Sequence, residues 1–595
     1  MVRARAAALT AVCLLLGSGA APADLVAGEL FVDRAAEAGI DFVHFNGMSG
    51  ELYFVEMAGS GAALFDYDLD GDLDVFLVQG TMLGEGKTIA DATFEPAHPL
   101  PLVDRLYRND LEVRPDGTRS LRFTDVTAES GIVSAGYGMG VAVGDYDNDG
   151  WPDLYVTNFG PNQMFRNDGD GTFSDVTDAT GTDDPRWSVP AVFFDYDADG
   201  WLDLYVGNYV DYRIATHKTC STVAGVPDYC GPRSYAPVPG RLFHNRGRGK
   251  GGVAFEDVTA REGIASEFGP ALGATASDFD GDGRIDLYVA NDGSANQLWL
   301  NRPGEDGRVR FVNEALLAGC AVNEAGQPEA SMGVVAGDFT GDGSPDLFMT
   351  HLTRETNTLY VNDGSGLFED RSRESGLGPP SWEGTGFGTA LVDYDNDGWI
   401  DLFVANGAVT LIQEQVRAGE VYALKQRNQL YHNLGTGRFE EVPAATAGEV
   451  FERMEVSRGV AMGDVDNDGD SDLLLANNAG PARLLLNQIG QDRPWLGLRL
   501  VGGEPLRDQL GARATLYRKG APPLVREART DGSYASAGDP RVLFGLGRPA
   551  GGAAAGYEVE KVRVRWPSGR VEEWTGLPTR TYTTLREGTG QPVAP

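Results

Sequence analysis

The chain has 595 residues, enough for more than one domain. Its 49 basic against 87 acidic residues leave a formal net charge of −38, a field that repels polyanions and excludes nucleic acid and anionic lipid surfaces as partners. Past the N-terminus no stretch reaches the about 20 consecutive apolar residues of a transmembrane helix.

Residues 1–23, MVRARAAALTAVCLLLGSGAAPA, carry Arg3 and Arg5, then an apolar run, then a small-residue end. That order is read as a secretory signal peptide cut after Ala23, which places the mature protein outside the cell or in a periplasm. Cys13 lies inside the apolar run without a lipobox-like setting, so a lipoprotein is not favoured.

A nonapeptide D-x-[DT]-x-D-G-x-x-D then appears seven times. In order of positions 1, 3, 5, 7 and 9, the first loop supplies Asp66, Asp68, Asp70, Asp72 and Asp74, and the second Asp145, Asp147, Asp149, Trp151 and Asp153. The third has Asp195, Asp197, Asp199, Trp201 and Asp203; the fourth has Asp278, Asp280, Asp282, Arg284 and Asp286. The fifth has Asp338, Thr340, Asp342, Ser344 and Asp346, and the sixth Asp393, Asp395, Asp397, Trp399 and Asp401. The seventh has Asp464, Asp466, Asp468, Asp470 and Asp472. Carboxylates this close repel one another unless a hard cation with several oxygen ligands sits among them. Glycine at position 6 permits the sharp turn, and the varied position 7 suits a main-chain carbonyl ligand. Up to seven Ca²⁺ are expected, with the fifth loop weakest because Thr340 replaces a charge. An EF-hand is excluded: position 12, where that motif needs a bidentate Glu, is Leu77, Val156, Val206, Val289, Met349, Val404 or Leu475.

Each loop belongs to a larger unit. Residues 138–177 show four short strand candidates, GVAV, DLYVTN, NQMFRN and TFSDVT, separated by turn-rich DNDG and NDGDG. A four-stranded unit recurring at roughly 40–50 residues predicts a propeller blade. The seventh unit lacks its last strand, and FVDRAAEAGI (31–40) resembles FTDVTAESGI and FEDVTAREGI, so the N-terminal strand is expected to complete it and close the ring. The expected fold is all-β: a seven-bladed β-propeller with calcium-binding loops over 28–490, then a small β-rich, sandwich-like domain over 493–590.

Three insertions, about 80–104, 209–240 and 407–427, occupy connections between second and third strands, which emerge opposite the acidic loops; the last reads as partly helical. GTMLGEGKT (80–88) imitates a phosphate loop, but Thr81 stands where that motif needs Gly. Cys220 and Cys230 are expected to form a local disulfide in an oxidising compartment, and Cys320 to be a buried free thiol. The six histidines are scattered, with no His-Glu-x-x-His and no Gly-x-Ser-x-Gly, so no catalytic residue is nominated.

The seven units resemble FG-GAP/VCBS-type repeats, the calcium-loop blades also seen in integrin α-subunit propellers. WLGLRLVG, DQLGARATLY, RVLFGLG and VRVRWPSGRVEEW resemble the ASPIC/UnbV domain. This pairing is similar to the cartilage acidic protein family and its bacterial relatives, and it implies a fold and calcium binding rather than a chemistry. The leading reading is an exported calcium-binding scaffold for protein or glycan recognition at the face opposite the calcium loops. The alternative is an enzyme, of hydrolase or lyase type, with a pocket at the propeller axis or under the insertions. A purely structural surface protein is the third reading.

Overall fold

The computed structural model describes residues 28–222, 225–249, 252–304, 308–435, 437–549 and 556–593; the expected signal peptide lies outside them. Seven four-stranded antiparallel sheets dominate the chain. The second is typical: Gly138–Gly144, Asp153–Asn158, Gln163–Asn167 and Phe173–Asp175. Its first two strands are buried throughout, as their runs of small and β-branched residues require. Its third leaves Gln163 and Arg166 partly exposed, and its fourth buries only Phe173, so burial declines outward from the axis. First strands of successive sheets pack against one another in an unbroken cycle, sheet seven returning to sheet one. This arrangement is consistent with propeller blades. Sheet seven is completed by Phe31–Asp33, with Phe31 opposite Asn487, so the expected closure is present.

One contact repeats around the ring. The third strand of every sheet carries a buried asparagine whose Nδ2 donates to a carbonyl in the acidic loop of the preceding sheet. Asn167 reaches Tyr67 O at 2.8 Å, Asn245 Tyr146 O at 2.8 Å, and Asn301 Tyr196 O at 2.7 Å. Asn362 reaches Phe279 O at 2.8 Å, Asn433 Phe339 O at 3.0 Å, and Asn487 Tyr394 O at 2.8 Å. Asn109 closes the cycle on Val465 O at 2.8 Å.

Two further sheets form the C-terminal region. One contains Trp495–Gly502 and Val542–Gly545 with Tyr582–Arg586 parallel to the former; the other contains Arg513–Arg518, Val559–Arg565 and Val571–Trp574. Leu496, Leu498, Leu516, Val562 and Trp566 fill the space between them. A turn at WPSG, between the last two of these strands, closes with the Gly569 amide on Trp566 O at 2.8 Å. The connecting segment is not a loose tether: Gly490 O accepts from Asn396 at 2.9 Å and the Gln491 amide donates to Asp470 at 3.0 Å. Among the described residues no helix is long and apolar enough to cross a membrane.

The axis of the ring, where one functional reading placed an enzyme pocket, is filled by the protein itself. Residues 529–539 leave the C-terminal region and run between the first strands. Thr530 donates to Val143 O at 2.8 Å, the Ser533 amide to Val334 O at 2.8 Å, and the Asp539 amide to Met462 O at 3.0 Å. The amides of Ala62, Val141, Ala276 and Thr389 donate to this segment in turn. Six of the seven innermost strands therefore hold it. Small residues on both sides make the approach possible: a Cβ at Gly61 would fall on the Ala535 carbonyl, and one at Gly140 would lie 2.9 Å from it.

The asparagine cycle generates a prediction. Asn433→Ala leaves the Phe339 and Ile400 carbonyls, now 3.0 and 2.9 Å from Nδ2, without a donor. Thermal or denaturant unfolding should show a loss of about 1–3 kcal/mol, whereas an unchanged midpoint would mean that the contact contributes nothing to ring closure.

Candidate metal centre

Every nonapeptide adopts one backbone course. Position 4 is left-handed in all seven loops, with φ between +51° and +76°, and the position 6 glycine follows at +87° to +100°. The glycine amide donates to the position 1 carboxylate throughout, for example Gly150 to Asp145 at 2.9 Å and Gly469 to Asp464 at 2.8 Å. The position 7 amide donates to the position 5 carboxylate, as Trp151 does to Asp149 at 3.0 Å and Ser344 to Asp342 at 2.8 Å. This folding brings carboxylates of positions 1 and 3 together with position 5 or position 9: Asp66, Asp68 and Asp70 converge, as do Asp195, Asp197 and Asp199, and, with position 9, Asp145, Asp147 and Asp153.

Position 9 has a second role that the nonapeptide alone does not reveal. One oxygen of Asp153 accepts the Tyr146 amide at 3.1 Å and the other accepts the Asn167 amide at 2.8 Å. The same pair of bonds recurs at Asp74, Asp203, Asp286, Asp346, Asp401 and Asp472. Each position 9 aspartate thus fixes the asparagine that grips the neighbouring sheet.

The donor set fits a cation. Asp66 Oδ1, Asp68 Oδ1, Asp147 Oδ1, Asp278 Oδ1, Asp395 Oδ1 and Asp466 Oδ1 are buried without a hydrogen-bond donor, and so is Thr340 Oγ1. An ionised carboxylate only accepts hydrogen bonds, so a buried oxygen without a donor calls for a positive charge. All-oxygen sets of this kind suit hard cations. At position 7 the indoles of Trp151, Trp201 and Trp399 lie against Gly169, Gly247 and Gly435, which leaves the main-chain carbonyl as the expected ligand. Asp72 and Asp470 differ: Asn467 donates to Asp72 at 2.7 Å, and Asp470 keeps one buried oxygen without a donor.

The loops are not equivalent. In the third and sixth, a third-strand histidine joins the cluster: His244 Nδ1 is 3.1 Å from Asp203, and His432 Nδ1 is 3.2 Å from Asp401. Burial opposes charging of His432, but the Asp401 hydrogen bond and nearby aspartates hold its pKa up at about 9. The corresponding residues of the first two sheets are Arg108 and Arg166, each pairing instead with its own Asp110 or Asp168. In the fourth loop Arg284 pairs with Asp282, Arg302 with Asp280, and Arg565 with Asp278 at 3.2 Å. Three guanidinium groups compete there for carboxylates a metal would need. Arginines at the fourth loop, and Thr340 in the fifth, reduce the carboxylate oxygens open to a cation there.

The C-terminal region sits on this acidic face. Tyr582 donates to Asp464 at 3.0 Å, Arg541 to Asp464 O at 2.9 Å, Arg526 to Gly398 O at 3.1 Å and Arg507 to Gly200 O at 3.0 Å. A cavity of about 250 Å³ remains between the two, bordered by Arg513, Arg526, Arg541 and Arg565. At the opposite end Cys220 and Cys230 are disulfide-bonded, Cys320 is free and buried, and the 407–427 insertion carries the helix Gln413–Ala418.

With this geometry in place, comparison with known proteins is informative. The FG-GAP-like repeat model matches residues 66–156, 145–206, 278–349, 338–404 and 420–475, together more than half of the chain. The ASPIC and UnbV model matches residues 502–592. The chain is 29% identical to cartilage acidic protein 1 of Mus musculus over 389 residues, covering 56% of this chain and 56% of that protein. To the Homo sapiens protein it is 29% identical over 208 residues, 31% of this chain and 29% of that one. The chain thus spans about half the length of these curated relatives, or less. Among solved structures, an Agrocybe aegerita lectin specific for non-reducing terminal N-acetylglucosamine shares 15% identity over 59% of this chain and 83% of that one, with a TM-score of 0.34. A Bacillus licheniformis rhamnogalacturonan lyase shares 11% identity over 72% of this chain and 89% of that one, with a TM-score of 0.28. Scores this low carry no argument about ligand or activity.

Burial sets the pH behaviour of the metal-free loops. It raises Asp66, Asp145 and Asp464 to about 7 and Asp286 and Asp346 to about 8, with neighbouring loop aspartates adding to the effect. The folded protein therefore holds protons that the unfolded chain, with Asp near 3.9, releases. Their stabilisation is complete below about pH 4 and is lost as pH rises through about 7–8. In chelator, the melting temperature should fall between about pH 5 and about pH 8, and the gap between calcium and chelator should widen over the same interval. A gap independent of pH would contradict this account of the loops.

Proposed function

We propose, from the premise that the chain belongs to the FG-GAP-like repeat family and ends in an ASPIC and UnbV domain, that it is an exported, calcium-binding, seven-bladed β-propeller. In this reading it is a recognition scaffold whose open face lies opposite the calcium loops. The propeller spans about 28–490 and the C-terminal domain about 493–590. The observation that carries the reading is which face remains free. The C-terminal domain covers the acidic loops, and residues 529–539 fill the axis. What remains is the end where the first strands begin and the three insertions emerge.

That end carries large apolar side chains in solvent: Leu100, Val226, Val416 and Val421 on the insertions, and Phe268 and Trp382 on segments leading into first strands. Apolar patches rimmed by polar residues are where proteins meet partners, and long loops on a rigid scaffold commonly carry recognition. A protein or glycan ligand fits this surface, whereas the acidity of the whole chain disfavours polyanions. The disulfide in one insertion suits an oxidising compartment.

Two measurements test this. Metal analysis after gentle dialysis against millimolar calcium should find several equivalents per chain, up to seven, with Asp145→Ala losing one; one equivalent or none would remove the calcium reading. For recognition, immobilised glycans and extracellular-matrix proteins would be screened with the wild type and with Val416→Asp/Val421→Asp. A ligand lost by that variant but kept by Val113→Asp, a change on an exposed hairpin at the other end, supports the assigned face. Retention by the insertion variant and loss by Val113→Asp would reverse the assignment.

A further inference from the structure

Beneath the insertions lies a cavity of about 130 Å³ whose walls include the rings of Phe54, Trp187, Tyr209, Tyr229, Phe387 and Tyr534 and the carboxylate of Asp292. The rings are locked against one another rather than loosely gathered. Trp187 meets Tyr209 edge-to-face at 4.9 Å and Phe54 at 5.3 Å, and Phe387 meets Tyr534 at 4.9 Å. Separate parts of the chain build this wall: the segment before sheet one (Phe54), the disulfide-bearing insertion (Tyr209, Tyr229), the axial segment (Tyr534), and residues at the first strands of sheets three and six (Trp187, Phe387) and after the second strand of sheet four (Asp292). Cys230 itself borders the cavity, so the Cys220–Cys230 bond tethers one side. Pro232, Val409 and Thr410 stand at the mouth.

Asp292 is the anomaly. It is 9% exposed in an otherwise apolar enclosure. Among the described residues its carboxylate accepts one hydrogen bond, from the Tyr209 hydroxyl. Burial raises its pKa from the usual carboxylate range to about 6, while the Tyr209 hydrogen bond and Arg233 oppose that rise. Two cations border the enclosure, Arg458 against the Phe387 ring and Arg233 at range from Asp292, and neither completes the carboxylate. Arg458 stacks on Phe387 at 3.8 Å, but its guanidinium is committed to the carbonyls of Met57, Gly407, Ser457 and Ala408. Arg233 approaches from the rim on an exposed turn and acts on Asp292 only at longer range.

We propose that this cavity binds a small organic cation of the methylated-ammonium class, with the ammonium among the aromatic rings and its charge matched by Asp292. Ring faces carry negative electrostatic potential, and aromatic enclosures are suited to quaternary ammonium groups, which cannot donate hydrogen bonds and shed water easily. A mostly apolar pocket with one placed charge is the form small-ligand sites take. The inference stands apart from the macromolecular reading above: it needs neither a protein nor a glycan partner, and its failure leaves the open face intact.

The test uses the calcium-loaded full-length mature protein and two probes of equal shape, choline and its uncharged carbon analogue 3,3-dimethyl-1-butanol. Calorimetry and tryptophan fluorescence should show saturable one-to-one choline binding, with the neutral analogue roughly tenfold weaker or more. Asp292→Asn, which keeps the Tyr209 contact, should weaken choline by a similar factor. Arg233→Ala removes the competing rim cation and should tighten it. If Asp292→Asn does not fold, the comparison of probes on the wild type decides alone. Equal affinity for both probes would show an apolar cavity with no cation preference, and absence of saturable choline binding at tens of millimolar would show no site; either overturns the proposal.

Discussion

The structure depends on one carboxylate repeated seven times, the aspartate at position 9 of each acidic loop. It faces three ways at once. One oxygen accepts an amide of its own loop and the other accepts the amide of the third-strand asparagine, as Asp472 does from Val465 and Asn487. The asparagine side chain then reaches the preceding loop, here Tyr394 O at 2.8 Å. Loop shape, strand position and adhesion between sheets therefore share one buried charge. Burial disfavours that charge: the pKa values of Asp74, Asp153 and Asp472 are driven well above the usual carboxylate range. A cation within the loop would supply what the charge lacks, because Asp145, Asp147 and Asp153 already converge. An ion that relieved repulsion in a loop would thereby support the contact between neighbouring sheets.

The second constraint is mutual closure between ring and C-terminal region. A ring of seven sheets leaves an axis lined by first strands, and the glycines along it, Gly61 and Gly140 among them, leave room for another backbone. Residues 529–539 take that room and supply partners to amides that would otherwise face a channel. From the same region, arginines reach the acidic loops, where the repeated aspartates concentrate negative charge. Arg526 is drawn toward Asp393, 3.9 Å away, while Arg565 lies 3.2 Å from Asp278. Arginine is therefore one means of meeting a charge density that a metal would also meet, and the loops differ in how much arginine they meet it with. One end of the ring is thus occupied internally, and the proposed recognition surface is the other end.

Much of this was legible locally. The nonapeptide is nine residues long, its glycine and aspartates are chemically specific, and sevenfold repetition fixed the number of sheets and their closing strand, Phe31–Asp33. The insertion disulfide and the short helix Gln413–Ala418 were equally local. What sequence reasoning missed involves partners far apart in the chain. The third-strand asparagine is present in every copy, in NQMFRN, NQLWLN and RLLLN alike. Its acceptor, however, lies about one repeat away, 100 residues from Asn167 to Tyr67. That repetition was the available signal. His244 and His432 stand beside this asparagine and join the loops only through the same register. The seating of the C-terminal region on the acidic face rests on pairs such as Arg565 and Asp278, 287 residues apart, for which no periodicity exists.

Amide hydrogen exchange tests the central claim most directly, because the amides whose acceptors are position 9 carboxylates can be followed individually. Asn167, Asn245, Asn301 and Asn433 donate to Asp153, Asp203, Asp286 and Asp401. If the loop charge and the contact between sheets are one system, removing calcium with a chelator should accelerate exchange at these third-strand amides together with the loop amides. Faster exchange confined to loop positions 3–8, with the asparagine amides as protected as before, would show that the loops and the ring are held independently.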